Sequence, residues 1–463
     1  MRTRVSVGVV GLCVVAAALA LASTAAWGRP FIIKFPGHFA QQPTAAQCEA
    51  EWGTECYTAS QIRHAYGVDQ LNAQGLTGAG ETIVLVDSYG SPTIQNDLRV
   101  YDRANHLPAP PSLQILTPAG APPAWNPNRY PDQPGWAGEA TLDVEMAHTI
   151  APGANLILVE TPVDETEGVQ GLPQMMEAEQ YVIDHHLGSV ISQSFGATEQ
   201  TFQNAHGQFD PALIYNLRYA FEDAAANGVT VLAATGDDGA TDYELDGTDN
   251  YPFRVVDWPD TDPLVTAVGG TELSLDPFGN RIAPDMVWND PPSSCFEGAP
   301  CASNGGLSVV FSRPSFQNGV QNVVGNARGV PDVMMSGSCS GAVDTYETFP
   351  PPLTSDDGWG PACGTSEASP LFAGEVALAD QAAGHPLGDI NSYLYEMGDS
   401  HGSGITDITL GNNTVTWVQP SSGKTLTVVG YNAGPGYDLA SGLGEPNGAF
   451  PLELAALADR PGH

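Results

Sequence analysis

Thr82-Ile83-Val84-Leu85-Val86 is a run of five residues in which only the first is polar. A run this short and this continuously apolar predicts a strand buried on both faces. Working outward, the same texture returns at Asn155-Leu156-Ile157-Leu158-Val159, at Ser189-Val190-Ile191-Ser192 and at Val229-Thr230-Val231-Leu232-Ala233-Ala234. Helical patterns lie between these runs. Residues 139–150 repeat Leu142, Met146 and Ile150, residues 173–186 carry Met175, Met176, Tyr181 and Val182, and residues 211–227 end at the stop signal Asn227-Gly228. Strand, helix, strand in this order predicts right-handed crossovers, hence one large α/β domain with a doubly wound, mainly parallel sheet and helices on both faces. From Asp257 to Pro361 the chain is rich in turns, with Pro291-Pro292 and Pro350-Pro351, and is expected to form long surface loops around a few strands.

Composition narrows the function. Lys+Arg total 15 against Asp+Glu 53, a net charge of -38, and Lys34 and Lys424 are the only lysines. Phosphate backbones and anionic membrane surfaces would be repelled, so nucleic-acid binding is not expected. Such an excess of carboxyl groups suits metal binding, work in acid or a salty exterior.

The first 26 residues have the form of a secretory signal: Arg2 and Arg4, an apolar run from Val5 to Ala22, then the small residues Ser23, Thr24, Ala25 and Ala26. The competing reading is an uncleaved anchor, since the run is barely long enough to span a bilayer. With the signal removed, a secreted monomer with no stable membrane association is expected. Residues 27–56 then form a short N-terminal extension and 57–463 the main domain. Six cysteines remain beyond Cys13, an even number suited to disulfides in an oxidising compartment. Closeness in sequence favours 48 with 56, 295 with 301 and 339 with 363. A zinc site is the alternative, although no C-x-x-C occurs.

The most specific chemical signal is Gly364-Thr365-Ser366-Glu367-Ala368-Ser369-Pro370, which opens a small, apolar helix. A serine there lies near free backbone N–H groups, which suits either a helix cap or a nucleophile whose intermediate carries an oxyanion. None of the ten histidines stands in a His-Gly-Thr-His context. Instead Glu139 and Asp143 are one helical turn apart, so their carboxyl groups share a face. Most acidic pairs of this kind are solvated surface; adjacent buried ones split their titration and leave one able to accept a proton. Asp237 follows a buried strand, at the end where such sheets present loops to ligand. It reads either as a turn residue or as an acid kept neutral to donate to an oxyanion.

Glu139, Asp143, Asp237 and Ser366, in that chain order, resemble the sedolisins, the serine-carboxyl peptidases of the subtilisin-like superfamily. The resemblance runs from about Tyr57 to about Ala449 and includes Gly305-Gly306-Leu307-Ser308 and Arg328-Gly329-Val330-Pro331-Asp332-Val333. It implies that Ser366 is the nucleophile, Glu139 the base, Asp143 the group that orients it and Asp237 the oxyanion acid. Asp87, after the first strand, matches a further carboxyl position behind these, or is a plain strand-end turn. Protein or peptide substrates, an acyl-enzyme and an acidic working range of roughly pH 3 to 6 follow from that mechanism. The alternatives are a catalytically inactive secreted binding protein on the same fold and a His-dependent subtilisin-type peptidase.

Near the C-terminus, Asp407-Ile408-Thr409 and Ala433-Gly434-Pro435-Gly436-Tyr437-Asp438 combine two carboxylates with glycine carbonyls, the oxygen-only donor set that calcium takes. The resemblance implies one calcium ion held by the side chains of Asp407 and Asp438 and the backbone oxygens of Ile408, Gly434 and Gly436. Two departures stand out. Sedolisins carry a large propeptide, whereas about thirty residues separate the signal from the main domain here, so activation is expected to differ or to be absent. Glu367, directly after the nucleophile, is bulkier and more acidic than the small residue the resemblance implies. Buried, it costs several kcal/mol unless neutralised, paired or solvated, and it is expected to alter a subsite or the pH response.

Overall fold

The computed structural model describes residues 31–35, 37–291, 300–353, 357–399 and 404–460. The signal of residues 1–26 lies outside the described residues.

An eight-stranded sheet forms the centre, with its first strand, Thr82–Ser88, in the middle. On one side follow Asn155–Thr161 and Leu113–Leu116; on the other follow Val190–Gln193, Thr230–Ala234 and Thr266–Glu272. These strands are parallel, and so is Val333–Ser336 against Thr266–Glu272. Met286–Val287 closes that edge antiparallel. Alternating residues of each strand feed two separate cores. Ile83 and Leu85 belong to one and Val84 and Val86 to the other, as the period of two requires. The first core holds the helices Gln133–Ile150 and Thr365–Ala383; the second holds Leu172–Asp184 and Tyr219–Asn227. Helices therefore cover both faces, as the sequence predicts.

The two helices of the first core, here named the base helix (Gln133–Ile150) and the serine helix (Thr365–Ala383), have no wet side over most of their length. Their fully buried Leu142, Met146, Leu371, Phe372 and Val376 each contribute about 1.5–3 kcal/mol by leaving water. The helices approach closely at Gly374, where a Cβ would lie 2.5 Å from the Ile150 Cβ. Pro370, inside the serine helix, removes the amide that would bond the Ser366 carbonyl. Gly364, just before this helix, has φ +123°, a conformation that other residues avoid.

The stretch from Asp257 to Pro361 differs from expectation. It supplies Thr266–Glu272, Met286–Val287 and Val333–Ser336 to the central sheet, and Ala342–Glu347 to a second one. Gly269 and Gly270 hide the first of these strands, because an interior glycine weakens the strand pattern. Both are crowded by neighbours: a Cβ would meet Met334 Sδ at 2.5 Å and Trp288 at 2.9 Å respectively. The second sheet has four strands in the order Ile33–Lys34, Gly358–Cys363, Ala342–Glu347 and Cys56–Tyr57. Residues of the N-terminal extension thus form one edge of this sheet. Cys48 pairs with Cys56 and Cys339 with Cys363. The expected third pair cannot be followed, since Cys295 lies outside the described residues.

Packing at Gly374 gives a prediction with an unusual sign. In an exposed helix, alanine is better than glycine by about 1 kcal/mol. Here Gly374→Ala is expected to destabilise by about 1–3 kcal/mol through overpacking against Ile150, read as a lower urea midpoint with an unchanged slope.

Candidate active site

The site forms where the strand order reverses, at the carboxyl ends of the central strands. Asp87 is the penultimate residue of the middle strand, Ser194 follows Val190–Gln193, and Asp237 follows Thr230–Ala234. The base helix brings Glu139 and Asp143, one turn apart, and the serine helix brings Ser366 in its first turn. All four sequence-derived catalytic residues are gathered here. Glu139, Asp143 and Ser366 have no exposed surface and Asp237 is 6% exposed.

Glu139 is the hub. Burial pushes its carboxyl well above the usual range, and Asp143 and Asp87 push in the same direction; the Ser366 hydroxyl beside it works in the opposite direction. Ser366 Oγ and both Glu139 oxygens lack an aligned protein hydrogen bond, so the two side chains face each other without being committed elsewhere. Asp143 is likewise raised by burial, offset by its contacts with Ser194 and Glu139. Ser194 Oγ donates to Asp143 Oδ1 at 2.8 Å, fixing the side of that carboxyl turned away from Glu139. Asp87 is fully buried, with its pKa raised by burial first, then by Asp143 and Glu160. Carboxyl groups so close cannot all ionise, and the set retains protons that isolated acids would lose.

Asp237 is held separately. Its Oδ1 accepts from the Thr365 amide at 2.7 Å and from Thr365 Oγ1 at 2.9 Å, while Oδ2 has no partner. Burial raises its pKa to about 8 despite the two Thr365 donors. Below that pH it is a neutral acid whose spare oxygen can carry a proton toward a developing negative charge. A Cβ at Gly364 would stand 2.6 Å from that oxygen, so glycine is needed on steric grounds too. Arranged this way, the cluster offers a hydroxyl, an adjacent carboxyl base and a separate neutral acid.

Sequence reasoning missed Ser194 and Thr365 as positioning groups. The run Ser192-Gln193-Ser194 at a strand end was the local trace of Ser194, while Thr365 stood within the Gly364-Thr365-Ser366 motif without a role, and Ser192 Oγ lies 2.8 Å from Ser369 Oγ, tying that strand end to the serine helix. Glu367 packs toward the central sheet. It is fully buried and raised well above the usual range by burial, with Ser336 of the central sheet beside it. His148, on the base helix, bonds Pro108 O at 2.8 Å and lies 3.3 Å from Asp102.

The C-terminal segments meet as well. Asp407 Oδ2 accepts from the Gly436 amide at 2.8 Å, Asp438 Oδ2 from the Gly434 amide at 2.7 Å, and Ser441 Oγ links Asp438 to Ile408 O at 3.0 Å. Two groups of closely set ligand-type side chains among the described residues, Cys48 with Cys56 and Asp344, and Cys301 with Cys339 and Asp290, involve sulfurs engaged in disulfides.

A profile of the subtilase family matches residues 132–394. Kumamolisin of Bacillus sp. (strain MN-32) is 34% identical over 400 residues, 85% of this chain and 62% of the relative. Sedolisin of Pseudomonas sp. (strain 101) is 29% identical, over 82% of this chain and 58% of the relative. Human tripeptidyl-peptidase 1 is 29% identical, over 70% and 52%. The chain thus spans between half and two thirds of the length of these relatives. The solved structure of Pseudomonas sedolisin, a serine-carboxyl proteinase complexed with two molecules of pseudo-iodotyrostatin, superposes with a TM-score of 0.68 at 25% identity, over 88% of this chain and 97% of that one. Since the profile covers more than half of the chain and encloses Glu139, Asp143, Asp237 and Ser366 together, the chain belongs to the subtilase family, in its sedolisin branch.

Proposed function

We propose that the protein is a secreted serine-carboxyl endopeptidase that cleaves protein or peptide substrates in acid. The observation that carries this is the buried Ser366 hydroxyl set against Glu139, which is itself backed by Asp143. Glu139, when ionised, takes the Ser366 proton as Oγ attacks the scissile carbonyl. Asp143 holds the base in place, and Asp237 donates to the tetrahedral oxyanion. Glu139 then returns its proton to the leaving amine, and water attacks the acyl-enzyme by the same sequence. The similarity to relatives named kumamolisin and sedolisin supports the same assignment.

Calcium is proposed at the C-terminal loops. The donor set fits a hard cation: two carboxylates and the carbonyls of Ile408, Gly434 and Gly436 occupy segments already drawn together by short hydrogen bonds. The ion would clamp these loops and take no part in the reaction. Chelation is expected to lower the melting temperature, and Asp438→Ala to do so without chelator. Equal melting curves, with no calcium found in purified protein, would remove the site.

Ser366→Ala is expected to abolish cleavage of a denatured protein by roughly 10⁴-fold or more, and a serine-directed inactivator to label Ser366 alone. Asp237→Ala is expected to lower kcat about 10²–10³-fold.

The pH profile follows from two protonation demands. Activity needs one charge on the Glu139 set and a proton on Asp237. The acid limb belongs to the first ionisation of the coupled Glu139–Asp143–Asp87 set, whose members share protons. The alkaline limb belongs to Asp237, near pH 8 in the free enzyme. The window therefore runs from that first carboxyl ionisation up to the limb set by Asp237. Asp237→Asn is expected to move the alkaline limb upward while the rate falls; activity independent of Glu139→Ala would refute the mechanism.

Stability should follow the same carboxyl groups. Each has a folded pKa above its unfolded value of about 4, so the folded state binds the proton more tightly. The resulting stabilisation is complete below the unfolded value and is lost as pH rises through the folded values, about 8 for Asp237 and about 8 also for Glu375, a further buried carboxyl on the serine helix. Melting temperature is therefore expected to be highest in acid and to decline from about pH 4 to about pH 8, measured by calorimetry across that range.

A further inference from the structure

Glu139, Asp143 and Ser366 have no exposed surface and Asp237 has little, and part of what covers this cluster is the chain's own N-terminal segment. Ile33 and Lys34 pair antiparallel with Cys363 and Ala362, and the Phe35 amide reaches Pro361 O at 3.5 Å. The segment thus adds a strand to the one that runs directly into the nucleophile. It touches three segments of the catalytic machinery. A Cβ at Gly364, two residues before Ser366, would lie 2.3 Å from the Phe31 carbonyl oxygen and 2.6 Å from Asp237 Oδ2. A Cβ at Gly196, two residues after Ser194, would lie 3.2 Å from the Phe31 ring, and one at Gly138, just before Glu139, 2.9 Å from Lys34 Nζ. An extended backbone paired to a sheet edge, with a carbonyl beside the oxyanion acid, is how a peptide is presented for cleavage.

Lys34 is the anchor. Its ammonium forms an ion pair with Glu347, whose side chain is 4% exposed, and lies 5.2 Å from the centre of the Phe349 ring. Nearby Glu145 is held high by burial, offset by the Tyr346 amide and, to a lesser degree, by the Lys34 charge. A carboxylate this dry is costly to leave without a cation, so the notch discriminates against a neutral side chain of the same length. In a chain with two lysines, one is spent here.

We propose that the notch formed by Glu347, Glu145 and Phe349 is a substrate subsite for a basic side chain, and that residues 31–35 fill it and the adjoining cleft as a pseudosubstrate within the same chain. The inference rests on the peptidase reading of the cleft and adds to it a preferred substrate class and a form of self-occupancy.

The test uses the full chain carrying Ser366→Ala, with and without Lys34→Ala, and a fluorescent peptide of the sequence Arg29–Gly37. The peptide is expected to bind the Lys34→Ala chain at least about tenfold more tightly than the parent, because the internal competitor is weakened. Replacing the peptide's lysine by norleucine should lose about tenfold, and Glu347→Gln should erase that difference. Phe31→Gly, loosening the other end of the segment, is expected to act as Lys34→Ala does and serves if that variant fails to fold. Equal affinity for parent and loosened chains, or a lysine preference that survives Glu347→Gln, overturns the proposal. Binding is read without turnover. Lysine-dependent binding to a chain whose Ser366-intact form cuts nothing would therefore refute the peptidase and keep the subsite.

Discussion

Everything at this site depends on carboxyl groups withdrawn from water and set against one another. Glu139, Asp143 and Asp87 sit at the carboxyl ends of parallel strands, where a doubly wound sheet opens its crevice, and helices cover both faces. In such surroundings an isolated charge is expensive, and a second charge a few ångströms away more so. The cluster answers by sharing protons. On the proposed mechanism a base is obtained without histidine, because the group next to Ser366 can hold one charge while its neighbours stay neutral. Asp237 is governed by the same desolvation but stands apart on its Thr365 donors, which keeps its role as an acid distinct.

The fold was legible where the chemistry is periodic. The runs at Thr82, Asn155, Ser189 and Val229 became adjacent parallel strands, because strands buried on both faces must be apolar at every position. The strand at Thr266 was not legible: its two central glycines serve close packing with Met334 and Trp288, and such packing leaves no pattern in one dimension. Asp237 and Ser366 were legible because they sit at punctuation points, after a strand end and at a helix start, whereas Glu139 and Asp143 lie inside a helix and were legible from their spacing of one turn. Burial was not, since an acidic pair one turn apart reads as solvated surface until the second helix, Thr365–Ala383, is laid over it. Ser194 and Thr365 escaped notice for a related reason. Small hydroxyl residues near strand ends are common, and only the third dimension shows which of them meets a carboxyl group.

The two sheets divide the work. The central one fixes the acids and the nucleophile through rigid strands and the close contact of helices at Gly374. The smaller one carries the edge beside the nucleophile, and there backbone pairing, ion pairing and the disulfide of Cys339 with Cys363 converge within a few residues of Ser366. Rigidity in the first preorganises the charges; an edge in the second leaves room for a further strand, whichever chain supplies it.

The scarcity of lysine has a practical consequence for watching the molecule work. Lys424 lies exposed at the tip of the hairpin formed by Val415–Val418 and Thr425–Val428, whereas Lys34 is engaged with Glu347 over the catalytic cleft. An acylating reagent therefore meets two ε-amines of very different availability in the native chain. The slow one reports on the cleft. If the N-terminal strand lifts away from the cleft, the acylation rate of Lys34 would follow that motion, a clock that requires neither an engineered label nor a substrate.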